Sequence, residues 1–497
     1  MLQLKISILS LFFTSILFGQ QHDDRLDSLQ IIVEQLMKEN HTVGLAIAVV
    51  EDDKVVYSNG FGYRNLESKL PVTPHTLFSV GSVTKQFTAT LMGIYQGQGK
   101  LSIDDQPRLH LPYLYFYNHE MNQLVTISDL LAHRSGIGGV DGTDVFFPTN
   151  SIEQHLKRLP HLAPNSVVRE RFDYSNMGYS ILGGISEQIS GKSWEENIKS
   201  EIFAPLQMAR SNANLQDLQA DNDFSYGYSS VKDSIFRVLY ADQFESSPAG
   251  AINSSAHEMT QWVKMLLNKG IHQGKQIVPQ AYLEQSFSEQ QMINGSFQFD
   301  QKKDLLANAY GYGWFVNQYQ NTYRVHHAGN VSGFTASVNL YPYKNIGIVI
   351  LSNQGNSNLP LVLADIIFDQ LTKNHTKNWQ EYEVQVGEGR TPVKQIPAIN
   401  TEQKPTHPLA AYCGKYKSKG YGVIEVLLEK EQLMIKFPAF KMALVHERYD
   451  TFYNETITQL HQNTPSFYIN FQTNSTGDIA EININFARTP ERFSKIN

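Results

Sequence analysis

A continuous apolar run with β-branched residues, Gly44–Val50, stands near the start of the chain, and an extended pattern, Ile346–Asn353, stands about 300 residues further on. Both read as strands, and strands must find partners. Gly44–Val50 is followed by a Glu51-Asp52-Asp53 turn and a second extended segment, Lys54–Gly62, which makes a strand pair. Extended patterns return at Tyr312–Gln318, Asn321–His326 and Ser332–Tyr341, and Ile346–Asn353 is followed by a helix at Leu359–Leu371. Between about Leu101 and Leu306 the pattern is mainly helices and loops, with helices at Thr126–His133, Met177–Ser190, Trp194–Phe203 and Ala256–Leu267. Ahead of the first strand, Asp24–Asn40 carries Leu26, Leu29, Ile32, Val33 and Leu36 at helical spacing. Strands at both ends with helices between predict an α/β (α+β) fold, its sheet assembled from the two termini with a helical insertion beside it.

A chain of 497 residues is too long for one compact unit, so two or three are expected. Lys373–His407 is polar and carries Pro392, Pro397 and Pro405, which reads as a linker. After it, short alternating segments such as Val423–Leu428, Gln432–Phe437, Ser466–Phe471 and Ile479–Phe486 predict a small all-β barrel. At the other end, Lys5 precedes an apolar run, Ile6–Phe18, that is shorter than the roughly 20 residues a bilayer span needs. That pattern predicts a secretory signal peptide cleaved near Gly19–Gln21, hence an exported protein, periplasmic or secreted, without a transmembrane anchor after cleavage. The expected division is therefore 1–20 signal peptide, 21–373 main domain, 374–407 linker and 408–497 barrel. Cys413 is the only cysteine, so the fold rests on its core and not on disulfides. The formal net charge of -7, with no basic block, disfavours a nucleic-acid partner. No oligomeric state is specified.

Hydrolysis through a covalent intermediate needs a nucleophile, a base and donors for the developing oxyanion. Gly81-Ser82-Val83-Thr84-Lys85 supplies the first two, because residues at i and i+3 share a helix face. A helix opening at Ser82 also aims the free N–H groups of its first turn at the reaction centre. Ser-x-x-Lys recurs at Ser229–Lys232, but in a polar stretch without helical periodicity; at Ser82 the apolar Phe78, Val80 and Phe87 bracket the serine. Tyr174-Ser175-Asn176 places a phenol and a carboxamide just before a helix, suited to relaying a proton and holding a substrate amide. His327-Ala328-Gly329 lies at the end of one predicted strand and before another, where Gly329 permits close approach of a substrate backbone. Each triplet has a bland reading, and His326 beside His327 is an alternative functional histidine.

The order of these triplets resembles the three motifs of the serine DD-peptidase and class C β-lactamase family. The likeness extends to Thr126–Ile137 and to Pro248-Ala249-Gly250, and covers about Leu29 to Leu371. It implies an antiparallel sheet of the β-lactamase and transpeptidase type. Tyr412-Cys413-Gly414-Lys415-Tyr416 and Tyr421-Gly422 are similar to a lipocalin-like domain appended to some members. By position, the resemblance implies that Ser82 becomes acylated, Lys85 takes its proton, and Tyr174 takes part in acylation or activates the deacylating water. Asn176 would hold the substrate amide, His327 would stand where many relatives carry Lys, facing Tyr174 and the substrate, and the N–H groups of Ser82 and Asn330 would form the oxyanion hole. An imidazole is a weaker carboxylate anchor than an ammonium, which counts against efficient β-lactam turnover.

His133-Arg134 reads as a favourable helix end and Asp129 as a helix-surface carboxylate. No Gly-x-Ser-x-Gly elbow exists, and His257-Glu258 lacks the second histidine of a zinc helix, so neither metal nor cofactor is expected. Gly191-Lys192-Ser193 reads as a turn between helices. The expected activity is acyl-enzyme hydrolysis of amides or esters, with D-amino-acid peptides favoured and β-lactams able to acylate Ser82. A carboxylesterase, a weak β-lactamase and a non-catalytic penicillin-binding sensor remain open.

Overall fold

The computed structural model describes residues 23–138, 146–149, 151–231, 234–238, 246–293, 299–300, 305–374, 378–381, 384, 403–454, 467–485 and 490–496. The expected signal peptide and most of the expected linker lie outside the described residues.

A ten-stranded antiparallel sheet forms the frame. Its spatial order runs Gln291–Met292, Leu305–Tyr310, Phe315–Tyr319, Thr322–Val331, Phe334–Tyr341, Ile346–Ser352, Gly44–Glu51, Lys54–Asn65 and Leu70–Pro71, with Phe299–Asp300 added beside Leu305–Tyr310. The two strands that open the sequence argument pair with each other, Ala48 opposite Val349. Side chains alternate across a strand, and the parity here separates two cores. Leu45, Ile47 and Val49 point into a layer shared with the helices Leu29–Glu39 and Leu359–Thr372. Ala46, Ala48 and Val50 point into the larger core, which holds Trp262 and Val263 of the helix Ala256–Leu267. The small alanines let that helix approach closely. Full burial of each large aliphatic residue contributes about 1.5–3 kcal/mol, so a one-residue slip in this strand is strongly disfavoured.

Several boundaries differ from expectation. His327–Gly329 lies inside one long strand, Thr322–Val331, because its pairing with Phe334–Tyr341 continues past His326, where the pairing with Phe315–Tyr319 ends, and overrides the weak strand preference of Ala-Gly. The helix expected over Thr126–His133 is confined to Ile127–Leu131, since His133 adopts a φ of 54°. Asp129 is not on the surface: it is fully buried, closes a capping box with Thr126, and accepts from Arg134 Nε at 2.8 Å and Arg169 Nε at 2.9 Å. Gly191–Ser193 is a turn, between helices Asn176–Ser190 and Trp194–Ile198.

The C-terminal strands, from Gly414–Ser418 to Glu491–Ile496, close into an eight-stranded barrel. Each strand pairs with its sequence neighbour, and alternate residues such as Ile424, Val426, Leu433 and Ile435 fill the interior.

Candidate active site

Phe78–Ser79 pairs with Asn253–Ser254, and Val80 N–H donates to the Ile252 carbonyl at 2.9 Å. This anchored strand leads to Gly81, whose φ of 54° turns the chain into a short 3-10 turn, Gly81–Val83, and then the helix Thr84–Gly97. A side chain at Gly81 would meet the Asn330 backbone N at 2.8 Å, and one at Gly329 would meet the Val80 carbonyl at 1.8 Å and Ser82 N at 3.0 Å. These two glycines let the nucleophile turn and the strand Thr322–Val331 interlock. The close approach that Gly329 permits is thus to the chain's own backbone. It brings Asn330, exposed at the rim, beside the turn that carries Ser82.

Lys85, one helical turn after Ser82, is fully buried. Its Nζ lies within hydrogen-bond distance of three groups: Ser82 Oγ at 3.2 Å, Asn176 Oδ1 at 2.8 Å and the Ala249 carbonyl at 3.0 Å. It also stands 4.6 Å from the centroid of the Tyr174 ring. Tyr174 shares a hydrogen bond with Ser82, and burial raises its phenol well above its ordinary pKa, with the Ser82 bond opposing in part. The phenol is therefore protonated at neutral pH. Ser82, Lys85, Tyr174 and Asn176 form one cluster, and Asn176 keeps an exposed edge at its mouth. The Pro248–Gly250 stretch is joined to it through backbone: Ala249 holds the lysine, and the Pro248 carbonyl accepts from Thr88 Oγ1 at 2.7 Å.

His327 faces this cluster, its ring centroid 6.3 Å from that of Tyr174. Its two nitrogens are both engaged. Nδ1–H donates to the Ala328 carbonyl at 2.6 Å, which leaves Nε2 as acceptor for the Tyr310 hydroxyl at 3.0 Å. Burial first, then the nearby Lys85 charge, lowers its pKa to about 3. The ring is neutral. His326 points to the opposite face of the strand, where Nε2 accepts from Asn317 Nδ2 at 3.1 Å, so it is not a member of the cluster.

His133 is a member that sequence reasoning assigned to a helix end. It is buried, its ring lies 4.3 Å from the Tyr174 ring, and its Nδ1 accepts the Ser175 N–H at 3.0 Å. Burial, with Lys85 and His327 nearby, lowers its pKa, so it is neutral and carries its proton on Nε2. The one available signal was the run Leu130-Leu131-Ala132 directly before the histidine, an apolar setting for a helix end. Its partner, however, lies in Tyr174-Ser175-Asn176, far along the chain.

A family model described as Beta-lactamase matches residues 29–371, and one described as a domain of unknown function matches residues 399–495. Protein flp of Staphylococcus aureus (strain NCTC 8325 / PS 47) is 26% identical over 351 residues, covering 69% of this chain and 66% of its own length. The chain therefore spans just under two thirds of that relative. The Unguisins hydrolase ungD' of Aspergillus campestris (strain IBT 28561) is 24% identical over 427 residues, covering 81% of this chain and 78% of that protein. Among solved structures, the octameric penicillin-binding protein homologue from Pyrococcus abyssi superposes with a TM-score of 0.61 at 25% identity, over 94% of this chain and 99% of that one.

Proposed function

Because the chain belongs to the Beta-lactamase family, we propose that it is a serine hydrolase in which Ser82 forms an acyl-enzyme on amide or ester bonds, with D-amino-acid peptides as the favoured substrates. One observation carries this reading: the Lys85 amine sits 3.2 Å from Ser82 Oγ, at the mouth of a helix. The apolar run Ile6–Phe18 supports export of the enzyme.

In the proposed reaction Ser82 Oγ attacks the carbonyl carbon while the Lys85 amine takes the hydroxyl proton. The oxyanion is held by the N–H groups of Ser82 and Asn330, which their interlocked backbones bring to one rim. Asn176 orients the substrate amide. Tyr174, protonated at rest, gives its proton to the leaving nitrogen or oxygen and regains one from Lys85. Water then attacks the ester, its proton passing into the same pair, and Ser82 is released.

A second reading, hydrolysis of neutral esters, is favoured by His327. A ring that is uncharged and bonded at both nitrogens offers no ion pair to a substrate carboxylate. Parallel assays of a D-Ala-D-Ala peptide, a short-chain nitrophenyl ester and a chromogenic cephalosporin separate the two readings. A fluorophosphonate probe reports on the nucleophile: absence of an adduct on Ser82 in folded protein would sink both.

A further inference from the structure

The eight-stranded barrel is plugged at both ends by aromatic side chains, and one plug comes from the main domain. Because successive strands are antiparallel neighbours, alternate turns share an end. Residues 430–431, 449–450 and 474–478 lie at one end. There Tyr412, from the short turn Leu409–Tyr412, packs 5.5 Å from Phe452 and 4.8 Å from Phe471 and bonds to Asp450. At the other end lie residues 419–421, 437–440 and Phe467. Here Phe146 and Phe147, both only 1% exposed, enter the barrel. Phe146 stands 4.8 Å from Phe437 and 5.4 Å from Phe467, and Phe147 stands 5.6 Å from Tyr421 and 6.1 Å from Phe493. A barrel of this size holds its own side chains or one small ligand, and the position of the ligand is occupied by this aromatic pair.

In sequence the pair falls between two described stretches that meet beside the active site, residues 133–138 and 151–174. The two stretches bind each other there: Arg169 N–H donates to the Arg134 carbonyl at 2.7 Å, Asp173 N–H to His133 at 2.8 Å, and Asn165 N–H to Gly136 at 3.0 Å. Buried Asp129 braces both stretches through Arg134 and Arg169. A second contact of the barrel falls on the later stretch, where a side chain at Gly420 would meet Leu162 at 2.6 Å.

We propose that the C-terminal barrel is a clamp on the active site whose ligand is the Phe146–Phe147 pair, and that seating this pair holds residues 133–138 and 151–174 in their reactive conformation. Its activity arm rests on the Ser82 reading above; its structural arm does not. Full-length F146A/F147A is compared with wild type. Hydrogen exchange over residues 151–174 is expected to speed up by at least about tenfold. Fluorophosphonate labelling of Ser82 is expected to slow by at least about tenfold, since small misplacements of catalytic groups are costly. Phe146→Leu with Phe147→Leu refills the plug and is expected to restore labelling to within about threefold. Unchanged exchange overturns the clamp, and faster exchange with wild-type labelling overturns its link to the site. If the double alanine variant fails to fold, Phe437→Ala tests the same contact from the barrel side with the same two readouts. Wild-type protein that takes no label removes the hydrolase reading and leaves exchange alone to decide the clamp.

Discussion

The Tyr310 hydroxyl donates to His327 Nε2 at 3.0 Å while His327 Nδ1 donates to its neighbour's carbonyl, so the histidine facing the nucleophile is fixed as a neutral ring. Such a ring supplies no ion pair to a carboxylate next to the scissile bond. His327→Lys restores a cation there. It is expected to raise kcat/KM for a D-Ala-D-Ala peptide relative to a nitrophenyl ester by about tenfold, the worth of one charge-assisted hydrogen bond of about 1.4 kcal/mol. A ratio unchanged by the lysine would mean that this position does not see the substrate.

Ser82→Ala is expected to lower every hydrolytic activity together by at least about 10³-fold, and Lys85→Met to come within an order of magnitude of the same loss, because nucleophile and base act as a unit. Steady-state assays on the three-substrate panel check this. Turnover surviving in Ser82→Ala on any of the three would point to another nucleophile.

Gly81→Ala tests the interlock of the nucleophile turn with Asn330. A φ of 54° costs a residue with a side chain about 1–2 kcal/mol, and the new methyl would press on the Asn330 N–H from 2.8 Å. The expected result is a fall in kcat of about 10²-fold with the protein still folded, the size of losing one oxyanion donor. Activity within twofold of wild type would remove the Asn330 N–H from the mechanism.

His133→Leu keeps the apolar volume but leaves the buried Ser175 N–H without its acceptor. Such an orphan costs about 1–3 kcal/mol, so the urea midpoint is expected to fall and Ser82 labelling to slow. His133→Gln, which can still accept that bond, is expected to recover part of both. Equal behaviour of the two variants would refute the positioning role.

Acid stability follows from buried histidines, His133 and His326 among them. His327 and His155 both have folded pKa values lowered to about 3, for His155 by burial first and then by Arg158. A depressed histidine is neutral in the fold but takes a proton when unfolded below the usual pKa of about 6.5. The unfolded state then binds more protons, so stability is full above about 6.5 and declines as the pH falls toward about 3. The slope is about 1.4 kcal/mol per pH unit for each histidine. Urea unfolding at pH 7, 6 and 5 checks the sign, and His155→Gln should lower the slope by about 1.4 kcal/mol per pH unit. A free energy constant between pH 7 and 5 would contradict the assignment.

What was legible in the chain was local or ordered along it. Ser82 and Lys85 meet because three residues of helix return a side chain to the same face, and that geometry depends on nothing distant. The strands at Gly44–Val50 and Ile346–Asn353, and the alternation of the barrel strands, are likewise written in period and residue type. Tyr174, Asn176 and His327 were placed by the order of their motifs. Their roles near Ser82 then needed the fold to bring them into reach.

The tertiary structure decided the rest. Asp129 became a buried brace because Arg169, forty residues on, folds back to it. His133 became a wall of the site because Ser175, separated by 42 residues, offers it an N–H. His327 lost its charge to burial beside Lys85, and Phe146–Phe147 found a barrel built from the other end of the chain. By itself the sequence determined the covalent chemistry available and the periods of the elements, since these depend on residue type and short-range geometry. Charge state, burial and partnership depend on what surrounds a group in space, and residues distant in sequence supply those surroundings.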